Sequence, residues 1–540
     1  LRTTLIIATS GILLATVHAR PVEVDVDITW PSVGPGSAGL RPLSRIVTVD
    51  QSTIPPDTAG AELLLSAPPD QPPDSKTPTA VLQFDGVAQS PSIDGGFLYK
   101  PPDTHLAVGP GAGAAGRVVA VTNTGVQIFN KSGTSVAGPT DLDAFLGLGS
   151  IGTANSAFDP KVLYDQHSGR FFIVILAGRT PNPAGTNNVW ICVSSSSTPG
   201  NLTTDWAKLS GSALTLIGAF NTWFDYPSIG ADSGSLFVTG NLFDSGGTNR
   251  GTKIRVFNKA SLLAGSYAFT DLDYDASVTL GIGTIQPAHV FGSTDNGNFY
   301  LVNRYGSTAY RLWEISGAPS SPAVVSNATY SWTAGASLTG APQSGVTGIT
   351  IDTLSPRIMN AVYRSGHVWC TLTSDMDSDS QTEVAWFRIA TNGGFPTSPT
   401  IPSTGYIDGS AASKWVFMPA IAVSALGNAM ICYSQSASDQ FVDMRVVAHH
   451  NTETSPFFQG PQTVKTSAGE YDDFNANNPE RWGDYAAAVV DPDDSETFWV
   501  ANEYCKTARS AGDDARWGTW IAKMGAVVPV PVQLSGFSVD

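Results

Sequence analysis

Apolar and polar positions alternate in short blocks along most of the chain. The clearest block is Ala486–Val490, bounded by Arg481-Trp482-Gly483-Asp484 on one side and Asp491-Pro492 on the other, with a second run at Phe498–Tyr504. Apolar runs of this length between acidic, Pro and Gly turns predict buried β-strands. Similar pairs recur about every 55 to 70 residues, the spacing of a repeat architecture. Their first strands start near Pro102-Asp103-Thr104-His105, Phe158-Asp159-Pro160, Phe224-Asp225-Tyr226-Pro227, Gln286-Pro287-Ala288-His289, Ser355-Pro356-Arg357, Phe417-Met418-Pro419 and Trp482. Six of the seven carry a proline, which the start of a strand accepts and its middle does not. Second strands follow across polar turns, as in Arg170–Val174 after Asp165-Gln166-His167-Ser168-Gly169, and a third strand usually comes next.

Three or four antiparallel strands at this spacing describe the blade of a β-propeller. A blade has two apolar faces and cannot bury them alone; radial stacking covers them and leaves only short edges. The predicted fold is therefore all-β, a propeller of seven blades, with six or eight as the neighbouring counts. A strand at 79–84 precedes the first repeat and is expected to close the ring by joining the last blade. Two stacked sandwiches would also give many short strands, but they do not require a recurring proline entrance.

Outside the repeats the pattern changes. Residues 1–19 read as a secretion signal: Arg2, an apolar run over Leu5–Val17, and a cleavage site at Val17-His18-Ala19. Residues 20–78 are rich in Pro, Asp, Ser and Thr and predict a linker or draped arm. The propeller is expected over 79–524. Residues 525–540 read as a linker leading into the start of a C-terminal module.

Composition supports this picture. Charged residues are 14% and aromatics 10%, with 54 Gly and 36 Pro, which favours strands and turns. The formal charge of −17 repels phosphate backbones, so nucleic acid is an unsuitable partner. No segment reads as transmembrane, and a monomer is expected. Four cysteines in an exported chain allow three disulfide pairings, which the sequence does not choose between, but Cys192, Cys370 and Cys432 lie inside apolar runs and read as buried free thiols, and no cysteine has zinc-ligand spacing.

The order of Pro101–Pro110, Phe224–Pro227, Met418–Ala422, Arg481–Tyr485 and Phe498–Tyr504 resembles a group of secreted bacterial propellers described as hypothetical or sialidase-like, with Asp-box (BNR-like) turns. The resemblance spans residues 79–524 and implies a propeller and an exported protein. It implies no particular activity. A sialidase carries Ser-x-Asp-x-Gly-x-x-Trp turns, an arginine triad and a Tyr/Glu pair. The turns at Asp165–Phe171 and Asp295–Tyr300 are degenerate versions, and no triad stands out.

Candidate chemistry gathers where the inner strands begin. Asp103, Asp159, Asp225 and Asp484 recur there and are expected to face one opening. Such carboxylates can hydrolyse glycosides, hold Ca²⁺, or merely accept backbone N–H groups in Asx turns. His105 or His289 near Tyr226 and Arg481 would suit a lyase, or be hydrogen-bonded core histidines. Trp223 and Trp482 could stack on sugar rings or pack between blades. Asp375, Asp377 and Asp379 alternate as calcium ligands do, but without the full loop pattern, and also suit a solvated hairpin tip. Two functions stay open. One is a secreted propeller that recognises a glycan or cell-surface protein at its channel mouth. The other is a carbohydrate-active hydrolase or lyase using Asp and His at that mouth.

Overall fold

The structure is a computed structural model. It describes residues 77–527 except 94–97, 149–155, 179–186, 276–282, 306–308, 332–337, 377, 392–402, 410–412, 452–457, 459, 473–477 and 511–513. It also describes the backbone of Arg2–Ile7, Val26–Ile28 and Arg45–Asp50, three strands of a small antiparallel sheet within the first of two compact units, 1–72. The expected cleavage site and C-terminal module lie outside the described residues.

The second unit, 73–540, holds seven β-sheets arranged as the blades of a propeller. Their inner strands are His105–Val108, Ala157–Asp165, Phe220–Ala231, Gln286–Pro287, Ile358–Arg364, Trp415–Val423 and Ala487–Val490. We number the blades one to seven in that order. From each inner strand the following strands pair antiparallel outward, and Thr215–Ile217 and, in parallel, His289–Val290 also pair with the inner strands of blades three and five. The ring closes as the sequence predicts. Ala80–Ala88 becomes the outer strand of blade seven, pairing with Arg516–Met524. Tyr504 Oη donates to Asp85 Oδ1 at 2.5 Å and Trp520 Nε1 to Gln83 Oε1 at 3.2 Å, locking the seam.

The core is a series of apolar layers between neighbouring blades. Phe172, Val174 and Ile191 of blade two meet Leu236 and Val238 of blade three. Ala420 and Met430 of blade six meet Val500 and Phe498 of blade seven. Full burial of each such side chain stabilises the fold by about 1.5–3 kcal/mol. All four cysteines are free and buried within these layers. Among the described residues no helix is long and apolar enough to cross a membrane.

The recurring proline marks a bulge. In blades two, three and six the residue before it, Asp159, Tyr226 or Met418, has φ of 49°, 55° or 51°. The strand ladder slips at the same places: opposite Val174/Leu176, between Asp225 and Ser228, and between Phe417 and Ala420. Asp103 (φ 49°) and Thr284 (φ 39°) hold the same conformation at the entrances of blades one and four. A side chain rarely adopts this conformation unless its surroundings enforce it. Here the preceding blade does so. Asn123 Oδ1 accepts the N–H of Asp159 at 2.7 Å, Asn241 Oδ1 that of Thr284 at 2.7 Å, and Thr373 Oγ1 that of Met418 at 3.0 Å.

Candidate functional site

These bulges turn selected side chains inward at the face where the inner strands begin. Asp103, Asp159 and Tyr226 occupy matching left-handed positions in blades one, two and three. Asp225 stands one residue off that position, opposite Asn241 in the ladder.

Blade seven supplies the rest through the segment before Ala487–Val490. Gly483 lets it approach blade one: a Cβ there would lie 3.0 Å from Glu503 Oε2 and 3.2 Å from Pro102 Cγ. Gly483 N donates to Glu503 Oε2 at 2.6 Å, and Asp484 N donates to Asp103 Oδ1 at 2.7 Å. The other Asp103 oxygen accepts from Asn123 Nδ2 at 2.7 Å. Tyr226 Oη donates to the Asp484 carbonyl at 3.3 Å, and Tyr485 Oη reaches Asp159 Oδ2 at 3.4 Å. The two tyrosine rings meet edge-on, 5.1 Å apart. Lys161 Nζ lies 3.9 Å from the Tyr485 ring centroid, and the Arg357 guanidinium 4.6 Å from that of Tyr226. Arg481 bridges Asp484 and, at 3.1 Å, Asp352.

Burial makes this a cluster of frustrated charges. Asp103 is held well above the usual carboxylate range by burial and by the Asp484 and Asp159 carboxylates beside it. Asp484 is pushed up to about 6, burial and Asp159 outweighing Arg481. Burial brings Lys161 down to about 7 against the pull of Asp159, Asp103 and Asp484. Burial also raises Tyr226, Tyr485 and Glu503. Burial opposes the charge on Arg481, but Asp484, Asp103 and Asp352 more than restore it. Only the outer layer meets solvent: the Arg481, Asp352 and Asp484 side chains are 39%, 20% and 14% exposed, while Asp103 and Tyr226 are buried.

Below this cluster, a cavity of about 270 Å³ runs between the inner strands. Its walls include His105, Lys161, His289 and Met359 but none of the mouth carboxylates. His105 Nδ1 bonds the backbone of Val162 at 2.9 Å, and burial lowers its pKa to about 3. The His289 ring accepts from Ala231 N at 3.3 Å, and burial lowers its pKa to about 4. Both are neutral histidines of the channel wall, and no hydrogen bond or ring contact joins either to Tyr226.

The predicted tryptophans do not line the mouth. Trp482 is fully buried and donates to Ser434 Oγ at 3.2 Å. Trp223 packs between Phe158 and Phe243. Of the three predicted calcium ligands, Asp375 and Asp379 converge with Glu383, and Asp377 lies outside the described residues.

Several members of the mouth escaped the sequence reading. Lys161 and Glu503 carried a usable signal, since each is a charge inside an apolar strand. Tyr485, Asp352 and Arg357 did not. Asp352 reaches Arg481 because residue 351 bridges Glu480 and the Asp352 N–H donates to the Glu480 carbonyl at 2.8 Å.

No protein-family model and no curated protein matches the chain. Solved structures similar to it include a protein of unknown function from Dyadobacter fermentans, at 12% identity over 69% of this chain and 95% of that one, with TM-score 0.37. A mutant Trypanosoma rangeli sialidase displaying trans-sialidase activity is similar at 9% identity, covering 67% of this chain but 53% of its own, with TM-score 0.36. A Cellvibrio cellulosa α-L-arabinanase complexed with arabinohexaose is similar at 11% identity, covering 60% and 98%, with TM-score 0.28. The seven-bladed arrangement stands on the strand pairing described above, and the site on its own geometry.

Proposed function

We propose that this chain is an exported propeller that recognises a neutral, hydroxyl-rich glycan at the mouth formed by Arg481, Asp484, Asp352, Arg357 and Tyr226. The carrying observation is the state of Asp103. Both its oxygens are already bonded, to the Asp484 N–H and the Asn123 amide, and it is buried. A carboxylate so engaged and so buried supports the loop above it and is not presented to a substrate. The groups that remain reachable are a guanidinium paired with two acids and a second guanidinium over a tyrosine ring. Alternating donors and acceptors of balanced charge suit sugar hydroxyls better than an anionic ligand. The leader at 1–19 belongs to this reading, and so does kinship with Asp-box propellers. In the turn after the inner strand of blade two, Asp165 accepts from the N–H groups of His167 and Ser168, a structural use of that carboxylate.

A second reading has one specific observation in its favour. Asp484, 14% exposed and lifted to about 6, has the proton affinity a glycosidase general acid needs. Glycan arrays with the purified protein, followed by reducing-end assays on the hits, separate the two. The binding reading expects capture of neutral oligosaccharides, no new reducing ends, and loss of capture in Arg481→Ala. Release of reducing ends that Asp484→Asn abolishes would replace it with the hydrolase. Capture restricted to acidic glycans would refute the ligand class.

A further inference from the structure

The hairpin between the second and third strands of blade five carries a separate cluster. Asp375 follows the second strand, His367–Ser374, and Glu383 begins the third, Glu383–Ala390. One oxygen from each of Asp375, Asp379 and Glu383 lies within 4.8 Å of the others. Two opposed Ca–O bonds of about 2.4 Å span about that distance.

Acidic hairpin tips are common and need no ion. This one differs because Asp375 is 2% exposed and neither of its oxygens has a hydrogen-bond partner. An ionised carboxylate without a partner in a dry site is strongly disfavoured. Gln381 Oε1 and Thr382 Oγ1, on the same hairpin, are also buried acceptors without a partner. By contrast, Asp379 is exposed and accepts from Gln381 N at 2.8 Å, and Glu383 Oε2 accepts from Met376 N at 2.5 Å. A cation held jointly with Asp379 and Glu383 would supply the partner that Asp375 lacks.

We propose that Asp375, Asp379 and Glu383 bind Ca²⁺. The donors are all hard oxygens, without imidazole or thiolate, which excludes a preference for zinc or copper. Three protein carboxylates suit calcium, whereas magnesium keeps most of its waters and takes one or two. The site differs from the sequence expectation in its third ligand: Glu383, eight residues on from Asp375, closes it across the hairpin. Second strands end on the face where inner strands begin, so the ion sits on the same face as the mouth. The hairpin also meets a neighbouring loop there, through Thr339 Oγ1 to the Ser380 carbonyl at 2.7 Å. The proposal does not depend on what the mouth binds.

Titration calorimetry of the chelator-treated chain with CaCl₂ tests it, together with thermal unfolding in CaCl₂ and in chelator. The expected result is one saturable site and a midpoint higher in calcium by about 2 °C or more. Asp375→Asn and the exposed Asp379→Asn should each weaken binding at least about tenfold, which is about 1.4 kcal/mol. In chelator, Asp375→Asn should unfold no earlier than the parent, because the stranded charge is gone. The absence of binding in the parent, or unchanged affinity in both variants, would overturn the site. Equal affinity for Mg²⁺ would overturn the choice of ion.

Discussion

The two faces of the propeller handle buried lysine and aspartate in opposite ways. On the face where inner strands end, Lys131 and Lys259 are matched. Lys131 Nζ donates to Asp491 at 2.7 Å and Asp493 at 2.8 Å, and Lys259 lies 2.8 Å from Asp165. Burial pushes Asp491 and Asp165 upward, yet their lysine partners and further hydrogen bonds hold both below the ordinary range. At the mouth the same residue types sit together with the outcome reversed: Asp103 and Asp484 are raised and Lys161 is lowered. Lys161 points at a tyrosine ring rather than at a carboxylate. Matched pairs of this kind hold blades together. Unmatched ones store free energy that a ligand can release, which is why perturbed groups mark functional sites.

The contrast can be broken from either side. The largest effect is expected on the matched face. Lys131→Met strands a carboxylate that is 3% exposed, and should lower the unfolding free energy by about 3–5 kcal/mol in urea titrations. A loss under about 1 kcal/mol would show that the pair is not what it appears.

The next largest effect is a pH dependence at the mouth. The folded pKa of Asp484, about 6, lies above its ordinary 3.8, so the folded protein binds that proton more tightly. Its stabilising contribution is present below the ordinary value and lost as pH rises through about 6, an effect of at most about 3 kcal/mol. His105 and His289, both depressed, act oppositely: their contribution is present above 6.5 and lost as pH falls through their folded values. The parent must therefore be compared with Asp484→Asn. Stability of the parent relative to the variant should fall from pH 4.5 to pH 7; a flat difference would remove the frustrated carboxylate.

Smaller effects sharpen the picture. Gly483→Ala places a Cβ against Glu503 and Pro102, and should cost about 1–3 kcal/mol while weakening glycan capture. Asp103→Asn turns an amide nitrogen toward either the Asp484 N–H or the Asn123 Nδ2, both donors, and should cost about 1–3 kcal/mol, less than Lys131→Met. A cost near that of Lys131→Met would contradict the distinction between the faces.

Much of the fold was legible in the sequence because blade stacking demands short apolar strands at a fixed spacing, and because proline enters such strands only at their start or at a bulge. Even the closing strand could be read, since Ala80–Ala88 is a strand without a sheet of its own in sequence order. The cluster was only partly legible. Asp103, Asp159, Asp484, Tyr226 and Arg481 could be named because they repeat or adjoin the repeat, whereas the bulge that sets Asp225 one residue from the left-handed position leaves no mark on composition. Trp482 was misread since a buried and an exposed indole look alike in sequence. Arg357 and Asp352 arrive through a loop whose path is set by contact with Glu480, more than a hundred residues away, and local pattern says nothing about such contacts.

The mouth is proposed to bind a neutral glycan at the Arg481, Asp484 and Asp352 network, beside buried groups whose charge the surroundings oppose. Calorimetric titration of a captured oligosaccharide into the parent, Arg481→Ala and Asp484→Asn tests it directly. The account predicts affinity losses of about ten- to a hundredfold in both variants, or about 1.4–2.8 kcal/mol, with each variant still unfolding cooperatively. Binding of equal strength in all three proteins would place the glycan elsewhere and contradict it.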